Sequence, residues 1–197
     1  MDYKRRQSLK KKNGPNSWAW GKTFIGQKMQ HNFHLYYLID LVMKKNKQIK
    51  RIFEIGTGTG ALSTVLGLWG VKDGIPVTTV DLYPRHNLFI FDALGIDFHK
   101  IDEYSEKMRH IFEESIGNNP CFLICDGDNK PWEFRTFVPL VPEKSVIAVH
   151  DWEQEIDYDD PEFGIRKTVD QYCEPILSDA WLALNAQFAI FKKVSHS

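Results

Sequence analysis

Apolar positions along the chain follow two spacings in turn, and the switches between them mark out the elements. Leu35, Leu38, Ile39 and Val42 fall at i, i+3, i+4 and i+7, with Lys44, Lys45 and Lys47 behind them, where a helix dipole favours cations. This predicts an amphipathic helix covering a sheet. Residues 51–55 then read as a strand, and Leu62, Val65, Leu66 and Trp69 resume helical spacing over residues 61–69, with Gly70 as a left-handed stop. A strand at residues 77–81, a helix from near Pro84 to Gly95 and a strand at 96–101 follow. Ser105 caps a further helix with Met108, Ile111 and Phe112 inward and Gly117 as its terminator. Residues 121–125 and 145–149 are unbroken apolar runs, as expected for parallel strands buried on both faces. After a helix containing Ile165, Val169 and Tyr172, residues 181–184 and 187–191 read as a hairpin joined by Asn185-Ala186. The alternation predicts a single doubly wound, mostly parallel α/β sheet with an antiparallel C-terminal hairpin.

Polar residues follow the strands directly. Glu54, Asp81, Asp102, Asp126, His150 and Asp151 all stand at predicted carboxyl ends, the edge where open α/β sheets bind ligands. The first strand runs into Glu54-Ile-Gly56-Thr57-Gly58-Thr-Gly60, and glycines are needed where a backbone turns sharply or admits a ligand to van der Waals contact. Gly56, Gly58 and Ala61 also satisfy a loose dinucleotide fingerprint, so spacing alone leaves two cofactors open. Charge separates them. Glu54 would repel a pyrophosphate but suits the ammonium of S-adenosylmethionine (SAM), whose carboxylate the following helix N-terminus can hold. Asp81, at the tip of the neighbouring strand, is placed to accept from both ribose hydroxyls. The alternative is that Glu54 and Asp81 are strand-end or capping acids.

Composition narrows the class. A chain of 197 residues fits one domain and is short for a cofactor domain plus a substrate domain, which disfavours a compact NAD-dependent oxidoreductase. A net charge of −1 gives no overall attraction to nucleic acid, and no base-flipping signature follows residues 121–125. Cys121, Cys125 and Cys173 lack metal-finger spacing and read as reduced core residues. No apolar run spans a bilayer and no signal segment is recognisable, so a cytoplasmic protein is expected. Residues 1–16, with six Lys and Arg, read as a basic disordered tail, and residues 17–197 as the domain. The acidic run Glu153, Glu155, Asp157, Asp159, Asp160 and Glu162 reads as a mobile loop.

Over residues 24–193 this pattern resembles the class I SAM-dependent methyltransferases, a Rossmann-like seven-stranded fold with strand order 3-2-1-4-5-7-6. More narrowly, Asp126-Gly-Asp-Asn129, His150-Asp151-Trp152, residues 163–172 (Phe-Gly-Ile-Arg-Lys-Thr-Val-Asp-Gln-Tyr) and residues 23–27 (Thr-Phe-Ile-Gly-Gln) resemble the cephalosporin hydroxylase and macrocin O-methyltransferase group. The resemblance implies methylation of a hydroxyl on a small natural product, a sugar or a glycan, with a divalent cation such as Mg2+ or Mn2+ holding the acceptor oxygen. By position, Asp126 stands as a metal ligand as well as a cofactor-lining residue, His150 and Asp151 occupy the place of an acidic pair, and Asp102 faces the adenine.

The chain departs from that pattern in two places. His150 replaces the first acid of the pair, and Asn129 stands where many relatives have histidine. Imidazole suits manganese, iron or zinc better than magnesium, so His150 changes the ion or removes it. In the metal-independent version, Asp128 or His150 accepts the hydroxyl proton as the catalytic base. Blander readings stand beside these: Asp128 as an Asx-turn or capping residue, His150 as a core histidine, Asp102 as a helix cap, and His31 and His34 as packing or surface residues. A non-catalytic SAM-binding or scaffolding protein is the alternative from another class.

Overall fold

The computed structural model describes residues 23–25, 27–28, 31, 33–83, 88–152, 156, 158–160, 164–184 and 187–194. The basic tail, the helix start near Pro84, Phe163, the Asn185-Ala186 turn and the acidic positions 153, 155, 157 and 162 lie outside these residues.

Seven strands form one sheet: β1 (Arg51–Ile55), β2 (Val77–Asp81), β3 (Ile96–Lys100), β4 (Cys121–Cys125), β5 (Val146–Val149), β6 (Cys173–Pro175) and β7 (Ala189–Lys193). Their order is β3-β2-β1-β4-β5-β7-β6, with β7 antiparallel to both its neighbours and the other pairings parallel. Helices α1 (Phe33–Lys45), α2 (Ala61–Asp73), α3 (Leu88–Leu94), α4 (Glu106–Ile116), α5 (Lys130–Phe137), α6 (Arg166–Tyr172) and α7 (Ser178–Leu184) complete the described fold. Ahead of them, Thr23–Phe24 pairs with Gln27–Lys28 in a two-residue hairpin.

Burial explains why the central strands read as they do. Every residue of β4 and β5 is buried, and in β1 only Arg51 is partly exposed. Phe53 packs edge-on to Phe112 of α4 at 5.0 Å, and Phe112 meets Phe137 of α5 at 4.8 Å. A fully buried side chain of this size is worth about 1.5–3 kcal/mol, so these contacts fix the helices on the sheet. All three cysteines are free and buried, in keeping with a reduced core.

Two elements differ from the sequence expectation. Helix α2 continues through Gly70 to Asp73 and stops at Gly74, whose φ is +67°. Gly70 instead serves close packing, since a Cβ there would lie 2.6 Å from the Ile75 carbonyl oxygen. Residues 181–184 are helical rather than a strand, because Trp181 turns into the core and donates its Nε1–H to the Ile176 carbonyl at 3.1 Å. The first arm of the C-terminal antiparallel pair is therefore Cys173–Pro175. Among the described residues no helix is long and apolar enough to cross a membrane.

The register places the site. Ile55 lies opposite both Val80 and Cys125, and Cys125 opposite Val149, so the residues that follow emerge along one edge. Backbone bonds carry the alignment past the strands: Gly56 N–H donates to Val80 O, Asp126 N–H to Ile55 O and His150 N–H to Cys125 O, all within 3.0 Å.

Candidate cofactor and active site

Gly56, with φ of +90°, joins the glycine loop to the end of β4. A Cβ at Gly56 would lie 2.2 Å from the Asp126 carbonyl oxygen, so only glycine lets the two strand ends meet. Gly58 and Gly60 also have positive φ, and Gly60 brings no side chain to cap α2. The first turn of α2 thus has no side-chain cap, and such amides can take water or an anionic group.

Glu54 is completely buried at the centre of this arrangement. Ser63 Oγ donates to its Oε2 at 2.5 Å and Thr79 Oγ1 at 2.6 Å, while Oε1 is buried with no hydrogen-bond partner among the described residues. Thr57 points inward, its hydroxyl 2.7 Å from Thr79 Oγ1, and so extends the Glu54 network. Burial pushes the Glu54 carboxyl up to about 8, against the lowering effect of the Ser63 and Thr79 hydroxyls. Asp81 and Asp126 add to the rise by repulsion.

Asp81 accepts from Gly58 N–H through Oδ2 and from Tyr83 N–H through Oδ1, both at 2.7 Å. It therefore clasps the glycine loop to the tip of β2, with lone pairs left on both oxygens. Asp102 is exposed after β3 and accepts from Tyr104 N–H at 3.0 Å, while Ser105 caps α4.

The second centre is built on Asp126, which is flanked by two imidazoles. His150 Nδ1 lies 2.6 Å from Oδ1, and His31 Nε2 lies 2.8 Å from Oδ2. The His31 and His150 rings meet edge to face at 4.8 Å, and Phe188 packs on His150 at 4.6 Å. Burial alone would raise the Asp126 carboxyl, but the two imidazoles outweigh it and hold the group well below the usual carboxylate range. Burial would likewise lower His150, and Asp126 and Asp151 outweigh that effect and raise it. His31, Asp126 and His150 offer three ligand atoms that all lie within 4.8 Å of one another.

Asp151 follows at φ of +51°, and its Oδ2 lies 3.3 Å from both His150 Nδ1 and the ammonium of Lys130. Lys130 is itself buried and donates to the Gly127 carbonyl at 2.9 Å. Asp128, by contrast, is exposed. The loop carrying it is held by Glu133, which accepts from the Gly127 and Asn129 amides at 3.2 Å, while Asn129 Oδ1 caps α5 by accepting from Trp132 N–H.

Of the residues singled out in the sequence, Glu54, Gly56, Gly58, Gly60 and Asp81 gather around the first centre, and Asp126, His150 and Asp151 around the second. Asp102 and Asp128 stand exposed, each in the loop that follows a strand. His31, read from the sequence as a packing or surface residue, is a member of the second centre, whereas His34 is exposed. Nothing local marks His31, whose partner Asp126 is 95 positions away. Glu133 was also missed, although an acid one turn into a helix behind an Asn cap is a readable signal.

No protein-family model matches the chain, and no curated protein matches its sequence. Solved structures do match in shape. The Mg–SAM form of CmcI superimposes with a TM-score of 0.65 at 16% identity, covering 93% of this chain and 86% of that one. Its SAH form gives the same TM-score at 13% identity. CalS11, a TDP-rhamnose 3'-O-methyltransferase of calicheamicin biosynthesis, matches with a TM-score of 0.58 at 12% identity over 96% of this chain and 91% of that one. The seven-strand order and this likeness together give the chain the class I SAM-dependent methyltransferase fold, in the form seen in CmcI.

Proposed function

We propose that the protein is a SAM-dependent O-methyltransferase acting on a hydroxyl of a small molecule, a natural product, sugar or glycan, with a divalent cation at the acceptor. One observation carries the reading: the glycine loop and the Asp126 centre touch, through the contact that excludes a Cβ from Gly56. A donor held by the first would be delivered directly beside an acceptor held by the second, and such proximity is a large part of catalysis.

The residues fit SAM. Glu54 Oε1 is a buried acceptor lacking a donor, which an ammonium would supply. The uncapped amides of α2 suit the carboxylate, and Asp81 keeps acceptor capacity for the ribose hydroxyls. Asp102, in the loop after β3, is assigned to the adenine side. When bound, SAM supplies an electrophilic methyl on a sulfonium.

The Asp126 centre fits a dication, with Asp126 and His150 as donors of opposite softness. Such an ion lowers the pKa of a coordinated hydroxyl. The chain's own part is to orient: Asp126 fixes the His150 ring, Phe188 walls one side, and Lys130 neutralises Asp151. In the metal-free variant of the reading, His150 takes the hydroxyl proton, since exposed Asp128 lies off this cluster. The test is formation of S-adenosylhomocysteine from SAM across a panel of hydroxyl acceptors, with and without added divalent ions. Binding of NAD in preference to SAM would overturn the assignment.

A further inference from the structure

Two imidazoles against one buried carboxylate exceed what an ion pair requires. We propose that His31, Asp126 and His150 form a site for a divalent transition-metal ion, of the Mn2+, Fe2+, Co2+ or Zn2+ class, in preference to Mg2+. The inference deepens the reading above at the same place and rests on it for the use of the ion, though not for its binding.

Three separate parts of the chain converge to make the donor set. His31 precedes α1, Asp126 follows β4 and His150 follows β5, yet their ligand atoms lie within 4.8 Å of one another. Packing needs do not explain His31. Its Nε2 is on Asp126, while its Nδ1 is buried without a hydrogen-bond partner among the described residues, and structural histidines in cores are normally satisfied. Phe188 packs against both rings, at 4.6 Å from His150 and 6.1 Å from His31, and so fixes their orientation.

Donor chemistry sets the choice of ion. Magnesium binds oxygen and keeps several waters, whereas imidazole favours the later divalent metals. A magnesium site here would need Asp151 as a second carboxylate. Its Oδ2, however, lies 3.3 Å from the ammonium of buried Lys130, which neutralises it and repels a cation from that side. The set that remains is two nitrogens and one carboxylate, which leaves further coordination positions for solvent or an acceptor oxygen. It also ties His31, ahead of α1, to the sheet edge.

The experiment titrates the untagged protein with CoCl2, ZnCl2 and MgCl2, by calorimetry and by the visible absorption of cobalt. One equivalent of Co2+ or Zn2+ should bind, with nitrogen-ligand bands for cobalt, and Mg2+ should bind at least about 100-fold more weakly. H31A should weaken Co2+ binding by about tenfold or more and change the spectrum. H34A should do neither. Circular dichroism and SAM titration of each variant establish that it is folded, and His31→Gln replaces H31A if the alanine variant does not fold. Unchanged cobalt binding in the His31 variant, equal affinity for Mg2+, or no stoichiometric binding would each overturn the proposal. Loss of SAM binding with intact cobalt binding would count against the methyltransferase reading alone.

Discussion

Glu54 is a buried carboxylate and Asp126 a largely buried one at the ends of adjacent strands, and their protons behave in opposite ways. Glu54 is surrounded by hydroxyls, and burial pushes it up to about 8. Asp126 is clasped by His31 and His150, which together overcome burial and hold it well below the usual range. Burial is shared, so the neighbours decide. Under the proposed function, an acid left with neutral partners suits a cation that arrives with a ligand, whereas an acid already paired with imidazoles orients them as donors. The site thus divides into a half with an unpaired buried acceptor and a half whose groups are already paired within the chain.

The change that should damage both halves most is Gly56→Ala. Its Cβ would collide with the Asp126 carbonyl at 2.2 Å in a backbone conformation of positive φ, and neither strand end can withdraw from the sheet. We expect a loss of about 2–4 kcal/mol in stability, with SAM binding and methyl transfer lost together. Chemical denaturation and calorimetry check it. Retention of both functions would mean that the halves are not coupled through this contact.

Next in size is Asp126→Asn, which separates the halves. Removing the charge that orients both imidazoles should lower methyl transfer by about 10²–10⁴-fold, the usual worth of a positioned acid–base or ligand group. SAM affinity should change by less than about tenfold, since Asp126 lies outside the glycine loop's hydrogen bonds. Steady-state kinetics beside a SAM titration distinguishes this result from a general loss of fold.

The two halves were not equally legible in the sequence, for a physical reason. The proposed cofactor half is local: Glu54, the glycines and α2 are contiguous, and Asp81 is one crossover away, so spacing suffices to bring them to one strand edge. The fold was legible in the same way, because buried parallel strands such as Cys121–Cys125 must be apolar throughout. The acceptor half is not local. His31 joins it across 95 positions, and no period or motif connects it to Asp126. Asp151 shows the converse limit: its place after β5 was readable, but its pairing with Lys130 depends on where α5 begins. Residues 181–184 belong to a helix rather than the expected strand, because Trp181 and its neighbours form too short an apolar run for period to discriminate.

Glu54→Gln should sharpen the comparison from the other side. Replacing the anion by a neutral amide removes a charge-assisted bond to the ammonium, worth about 1.5–3 kcal/mol, or roughly 10–100-fold in SAM affinity. The titration gives a second signature. Near pH 7 the ligand-free carboxyl holds its proton, because burial raises it to about 8, and pairing with an ammonium favours ionisation. SAM binding should therefore release a proton below pH 8, with affinity rising toward pH 8 and levelling above it. Calorimetry in buffers of different ionisation enthalpy measures the release. Glu54→Gln should abolish it, while Asp126→Asn should leave it in place.

The smallest effect follows from the same carboxyl without ligand. Below about pH 4.5 Glu54 is protonated in both folded and unfolded chains, so its environment carries no penalty. Between that value and about 8 the unfolded chain has lost the proton and the folded chain still binds it, so stability falls as pH rises. Above about 8 both are ionised and the loss is complete. Glutamine does not titrate, so the difference in melting temperature between wild type and Glu54→Gln isolates this group from every other that titrates in both. We expect the melting temperature of wild type to fall relative to that of the variant from pH 5 to pH 8. Saturating SAM should flatten that slope, because the ammonium then meets the charge that burial alone opposes. Parallel melting curves without ligand would mean that Glu54 is ionised throughout, leaving it no different in kind from Asp126.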